Sequence, residues 1–120
     1  MKRKPSTAIH LTVDPERSEQ VMVLKGKLLG TPECYEMLDE TRDRIQDGLT
    51  RVVIDMSSVD LINSAGAGIL AAIVTSANRQ GGRLILVGLQ ERCQRVLEFM
   101  HLHTFATFCT NMEEAHSSEA

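Results

Sequence analysis

The sequence predicts an α/β domain, a mixed β-sheet with helices packed against it, in the order β-β-α-β-α-β-α-β. Three observations carry that prediction. Beyond residue 30, short runs rich in Val, Ile and Leu alternate with longer segments of helical periodicity, as in βαβ units with right-handed crossovers. Before residue 30, two such runs are separated only by a polar turn, as in an antiparallel pair. The length of 120 residues suits one domain with a core of its own.

Residues 1–7 carry Lys2, Arg3 and Lys4 ahead of Pro5 and are expected to fray. Residues 8–13 form a first strand with Ile9, Leu11 and Val13 on one face. Asp14, Pro15, Glu16, Arg17 and Ser18 make a polar turn. Residues 20–28 form the second strand. A helix then starts at Thr31, a fitting N-cap, with Pro32 at its first position and Glu33 near its positive end. Cys34, Met37 or Leu38, Thr41 and Ile45 recur at helical spacing and form its inner face. Glu36, Asp39, Glu40, Asp43 and Asp47 form its outer face. Glu40 and Arg44 are spaced to pair at i,i+4. Gly48 ends the helix.

Residues 51–55 form a strand whose Val52-Val53-Ile54 run implies cover on both faces. Residues 56–62 lead from it to Asn63 and Ser64, both strong N-cap types. The helix over residues 65–79 is apolar nearly all round, which predicts that most of it is buried. Gln80-Gly81-Gly82 stops it. Residues 83–89 give another buried strand. Residues 90–102 give a third helix, with Cys93, Val96, Leu97 and Met100 at i, i+3, i+4 and i+7. Residues 105–109 form a last short strand. The polar, acidic residues 111–120 are expected to be a loose tail. The chain thus reads as one domain over residues 1–120 with its core at about 8–110.

Composition removes several function classes. Net charge is −3 and aromatic content is 3%, so neither a phosphate-binding basic surface nor a base-stacking platform is indicated. Cys34, Cys93 and Cys109 are odd in number and widely spaced, which argues against a disulfide framework and for a reducing compartment. No apolar run follows the basic N-terminus, and none reaches membrane-spanning length. A cytoplasmic protein with no membrane contact is expected.

The chemical motifs are sparse. Gly66-Ala67-Gly68-Ile69-Leu70-Ala71 fits the loose GxGxxA dinucleotide pattern, but no acidic residue closes the strand at 83–89 where a ribose ligand belongs. A GxxxxGK[ST] loop is missing. His101 and His103 form half a metal site with nothing at ligand spacing to complete it, so no metal or other cofactor is expected. Nothing like GxSxG supports a catalytic serine, and Cys93 lies on an apolar helix face, a core position rather than a nucleophile's. Ser57 and Ser58 occupy a turn after a strand, where serine is ordinary. No catalytic residue is assigned, and an enzyme is not expected.

The stretch running from Val52 through Asn63-Ser64-Ala65-Gly66-Ala67-Gly68 to Leu70 resembles the central signature of STAS domains, the anti-sigma factor antagonist family. There an apolar strand and a loop lead into Asp-Ser-Ser/Thr-Gly-Leu-Gly at a helix start. The resemblance covers roughly residues 8–110 and extends to the element order and to Gly81-Gly82-Arg83-Leu84-Ile85-Leu86-Val87-Gly88. It implies a protein-binding role in partner switching, a form of transcription regulation. In the family, a serine or threonine at the helix start is phosphorylated by a partner kinase, often itself the anti-sigma factor, and phosphorylation breaks the complex.

The resemblance places the docking edge on Asn63, Ser64, Ala65, Gly66, Ala67 and Gly68. The family Asp falls on Asn63 and the family Leu on Ala67, while both glycines match. The usual acceptor falls on Ala65, which has no hydroxyl, so Ser64 is the phosphoacceptor candidate. Either phosphorylation moves to Ser64 or this copy is not switched in that way. The expected partner is an anti-sigma factor or serine kinase of the switch type. The alternative is a non-phosphorylated STAS subunit or ligand sensor in a larger assembly.

Overall fold

Strand order in the sheet follows strand order in the chain. The computed structural model describes residues 7–117. Within them the strands are β1 (Thr7–Asp14), β2 (Glu19–Leu28), β3 (Arg51–Ile62), β4 (Arg83–Val87) and β5 (Thr107–Cys109). The helices are α1 (Pro32–Gln46), α2 (Ser64–Arg79), α3 (Glu91–Phe99) and α4 (Met112–Ser117), with single 3-10 turns at Pro15–Arg17 and Leu102–Thr104. The sheet runs β1-β2-β3-β4-β5. β1 pairs antiparallel with β2, and every later pair is parallel. The mixed sheet and the order β-β-α-β-α-β-α-β are those the sequence predicts, with α4 added at the end. Of the fraying expected of residues 1–7, residues 1–6 lie outside the described residues, as do the last three residues of the expected tail, while Thr7 is not frayed: it is buried in β1, its hydroxyl donating to the Lys27 carbonyl.

Crossovers of one hand between strands laid down in sequence put every crossover helix on the same face. α1, α2 and α3 accordingly share one core with Met22, Leu24, Val52, Ile54, Leu84 and Leu86 of the sheet. The inner face read for α1 is buried in full: Cys34, Met37, Leu38, Thr41 and Ile45. α2 buries Ile69, Leu70, Ile73, Val74 and Ala77, while Ala71 and Ala72 are half-buried and Thr75 is exposed. It is therefore less completely enclosed than its composition suggests.

The opposite face carries a second, smaller core of Val53, Ile85, Val87, Cys109 and Ala115. Ala115 belongs to α4, so residues 112–117 of the expected tail form a helix packed on the sheet. What the sequence hides is the anchor. Arg51 is nearly buried, its Nε donates to Glu19 Oε2 at 2.9 Å, and its Nη2 donates to the Ala115 carbonyl at 2.6 Å. A mostly polar helix, with Met112 and Ala115 as its apolar contacts, is held by a hydrogen bond reaching up from the sheet.

Three further differences have local causes. β3 does not stop at Asp55 but continues to Ile62. Against β2 it slips by one residue twice, between the partners of Val23 and Lys25 and between those of Gly26 and Lys27. Each bulge moves the buried side chains from a spacing of two to a spacing of three, so Met56, Val59 and Ile62 all face the core. β4 ends at Val87, β5 begins at Thr107, and α3 ends at Phe99, where His101 at φ 61° turns the chain into a 3-10 turn. Arg44 takes Gln20 as its hydrogen-bond partner, its Nε donating to Gln20 Oε1 at 2.7 Å, while Glu40 acts on the guanidinium through its charge.

Gln20 is fully buried in β2, and its amide nitrogen donates to the Leu49 carbonyl at 2.9 Å. Gln20→Leu leaves that carbonyl and the Arg44 guanidinium without this partner. A loss of about 1–3 kcal/mol is expected, read as a lower urea midpoint at unchanged slope.

Candidate functional site

The start of α2 is fixed by Asn63. Its Oδ1 accepts from the Gly66 N–H at 2.8 Å, capping the helix. Its Nδ2 donates to the Leu29 carbonyl at 3.1 Å, and its backbone N–H donates to the Leu28 carbonyl at 3.3 Å. One side chain thus caps the helix and ties it to the end of β2. Ser64 follows as the first helical residue. It is exposed, and its hydroxyl has no hydrogen-bond partner among the described residues.

The six residues of the sequence-derived docking edge do not share one surface. Asn63, Ser64 and Gly68 are exposed, Ala65 is half-buried, and Gly66 and Ala67 are buried. At Gly66 another part of the chain itself comes close: a Cβ there would lie 2.1 Å from the Leu28 carbonyl oxygen. Gly68 is the reverse case, with nothing within 4 Å of an added Cβ. Ala65 faces the turn after β2, where Gly30 at φ +76° leaves room; a Cβ on Gly30 would come within 2.5 Å of the Ala65 Cβ. The outward part of the edge is Asn63, Ser64 and Gly68.

Other candidate groups are committed elsewhere. The Ser57 hydroxyl donates to Asp55 Oδ1 at 2.7 Å. Cys93 is buried and directs its Sγ at the Val59 carbonyl, 3.5 Å away. Burial, and then the charge of Asp60, push its thiol pKa up. Burial likewise acts to raise the pKa of Cys34, but hydrogen bonds from Thr31 and Thr7 and from the backbone outweigh it and hold the thiol below its ordinary value. His101 and His103 stack with ring centroids 6.2 Å apart. Among the described residues, no three His, Cys, Asp or Glu side chains converge as a metal site would require.

Ser64 opens onto an apolar hollow of about 450 Å³ that it shares with Arg95, Val96, Phe99 and Met100 of the α3 region. These neighbours are missing from the sequence-derived site. A usable signal is present, because Phe99 falls off the Cys93–Val96–Leu97–Met100 stripe in a chain with only three phenylalanines.

The sequence model of the STAS domain matches residues 20–115. The chain belongs to the STAS domain family. Its fold is similar to that of an anti-sigma factor antagonist from Mycobacterium paratuberculosis, with a TM-score of 0.78 at 18% identity over 94% of this chain and 93% of that one. The anti-sigma factor antagonist SpoIIAA in its unphosphorylated form gives a TM-score of 0.71 at 18% identity, over 92% of this chain and 96% of its own. A sulfate transporter family protein from Wolinella succinogenes gives 0.63 at 18% identity, over 79% of each chain. At these identities the likeness is one of fold.

In this STAS domain the signature at the start of α2 thus divides its labour. Asn63 supplies the cap, Gly66 supplies the fit to β2, and Ser64 is left as the exposed hydroxyl. No helix among the described residues is long and apolar enough to cross a membrane.

Proposed function

We propose that this STAS domain is a cytoplasmic binding protein of the anti-sigma factor antagonist type. In this role it docks an anti-sigma factor or switch-type serine kinase through the start of α2, regulating transcription by partner switching and catalysing nothing itself. The observation that carries the proposal is Ser64, exposed on the first turn with an uncommitted hydroxyl because Asn63 does the capping. Asn63, Ser64 and Gly68 form the contact face, with Ala65 at its edge; Gly66 and Ala67 seat the helix beneath it.

A phosphate on Ser64 adds roughly −1.5 to −2 charge near neutral pH. The helix dipole favours it by about 0.3–1 kcal/mol, so the domain stays folded. A docked apolar or acidic partner surface loses water and gains repulsion, so the complex weakens. The expected result with the partner kinase and ATP is weak phosphorylation that maps to Ser64. Ser64→Asp lowers partner affinity by about tenfold, roughly 1.4 kcal/mol, and Ala65→Ser raises the phosphorylated fraction. Rapid stoichiometric phosphorylation at Ser57 or Ser58, or unchanged affinity of Ser64→Asp in a titration, overturns the proposal.

Gly68→Leu provides a test without phosphate. The space around Gly68 is open, so the fold should survive by circular dichroism while partner affinity falls by about tenfold, again roughly 1.4 kcal/mol. A second reading, a non-phosphorylated STAS subunit or ligand sensor in a larger assembly, is favoured by Ala65 at the usual acceptor position. It predicts no phosphate at residues 63–68 under any kinase.

A further inference from the structure

The core of this protein is aliphatic, yet two of its three phenylalanines stand in solvent. Phe99 is 86% exposed and Phe105 is 62% exposed, and Met100 beside them is 42% exposed. They are not scattered. The hollow that begins at Ser64 with Val96 and Phe99 reaches Met100, and Met100 also lines a second hollow of about 490 Å³ with Ala71, Val74 and Phe105. The two make one apolar trough along the outer side of α2, flanked by α3 and the 3-10 turn after it. Contiguous exposed apolar surface of this kind marks an interaction site.

The trough has a length and a charge. It runs from Ser64 to Arg79, the two ends of α2, which is about 22 Å at 1.5 Å per residue. Arg95 stands at one end and Arg79 at the other. Arg95 already pairs with Glu91, but both side chains are largely exposed, so a partner carboxylate can displace that contact. The cationic ends stand out on a chain of net charge −3.

These features select among occupants. Two copies joined trough to trough about a twofold axis would set arginine against arginine at both ends, whichever way the troughs run. The acidic outer face of α1 of another copy would satisfy the charges, but Tyr35 is the one large apolar side chain that α1 exposes, too little to fill the trough. A concave strip between helices suits a helix better than a lipid surface. We infer that the trough along α2 binds an amphipathic helix of a different protein, about four turns long, with an apolar row inward and Asp or Glu toward its ends. Ser64 lines one end of the trough, but the inference rests on the exposed aromatics and the charges of the unphosphorylated chain.

The test is selection of 16-residue helical peptides from a display library on the full chain, followed by fluorescence titration of the winners. The expected winners carry Leu, Phe, Ile or Met at i, i+3, i+4 and i+7 with acidic ends. The Phe99→Ser/Phe105→Ser double variant should bind them at least tenfold more weakly, at unchanged thermal midpoint because both side chains are exposed. Arg79→Glu/Arg95→Glu should shift the preference toward basic ends. The phenylalanine variant leaves Ser64 in place, so loss of peptide binding with phosphorylation of Ser64 by the partner kinase unchanged supports the trough alone. Failure to enrich any helical peptide overturns the inference. So does equal binding by the double variant, or a change in the double variant confined to loss of self-association in sedimentation or of binding to phosphatidylcholine/phosphatidylglycerol vesicles.

Discussion

Gly66→Ala is expected to destabilise the domain by about 3 kcal/mol, at the upper end of overpacking penalties, and to lower the melting midpoint by roughly 10 °C. The added carbon would sit 2.1 Å from the Leu28 carbonyl oxygen and 2.8 Å from its carbon. Both are backbone atoms, so no rotamer change relieves the contact. The same carbonyl accepts the Asn63 N–H, so moving α2 outward also strains the junction that caps it. Alanine is favoured over glycine within a helix by about 1 kcal/mol, and the clash must exceed that gain. Gly68→Ala separates the two effects. It lies on the same helix in open space, so only the propensity gain remains and the midpoint should rise by a few degrees, roughly 4 °C per kcal/mol. Thermal melts of the two variants should move in opposite directions. A Gly66→Ala protein as stable as the parent would mean that α2 does not lie so close to β2.

Arg51→Met should be comparably damaging, at about 3–5 kcal/mol, the cost of breaking a buried pair from one side. The Glu19 side chain is only 4% exposed, and its other carboxylate oxygen lies 3.9 Å from the His116 imidazole. The Ala115 carbonyl loses its donor as well. α4 is therefore expected to detach, and a glutamate-specific protease should cut at Glu113 or Glu114 far faster than in the parent. Replacing both partners, Glu19→Leu with Arg51→Met, removes the stranded charge and should recover most of the stability while leaving α4 loose. A single variant that loses less than 1 kcal/mol, or a double variant no better than the single one, would show that the pair does not hold the helix.

The sequence made the βαβ succession legible because each element advertises itself locally. Val52-Val53-Ile54 is apolar on both sides because α2 lies over one face of the sheet and α4 over part of the other. Cys34, Met37, Leu38, Thr41 and Ile45 keep a helical beat because α1 buries one stripe. The far half of β3 was not legible. Its bulges set Met56, Val59 and Ile62 three residues apart, a spacing that belongs to no regular strand. α4 escaped notice because its hold on the sheet is an arginine 64 residues earlier in the chain, and no local pattern encodes that. At the site, the division between Asn63 as cap and Ser64 as exposed hydroxyl follows from residue type and position. The burial of Gly66 and the trough beside Ser64 arise only when β2 and α3 are brought alongside α2.

Because strand order in the sheet repeats strand order in the chain, the protein can be assembled as it is synthesised. Each new strand finds its neighbour already in place at the growing edge, and no gap is held open for a later segment. Chains emerge N-terminus first at about 5–20 residues per second, so successive strand–helix units are separated by seconds, ample time for docking. Only α4 breaks this order, since it returns to cover Val53, Ile85 and Val87 after all the strands have paired. A nascent chain halted before Met112 would present that apolar strip uncovered. Termination between Cys109 and Met112 should accordingly yield a sheet that forms but sticks to chaperones.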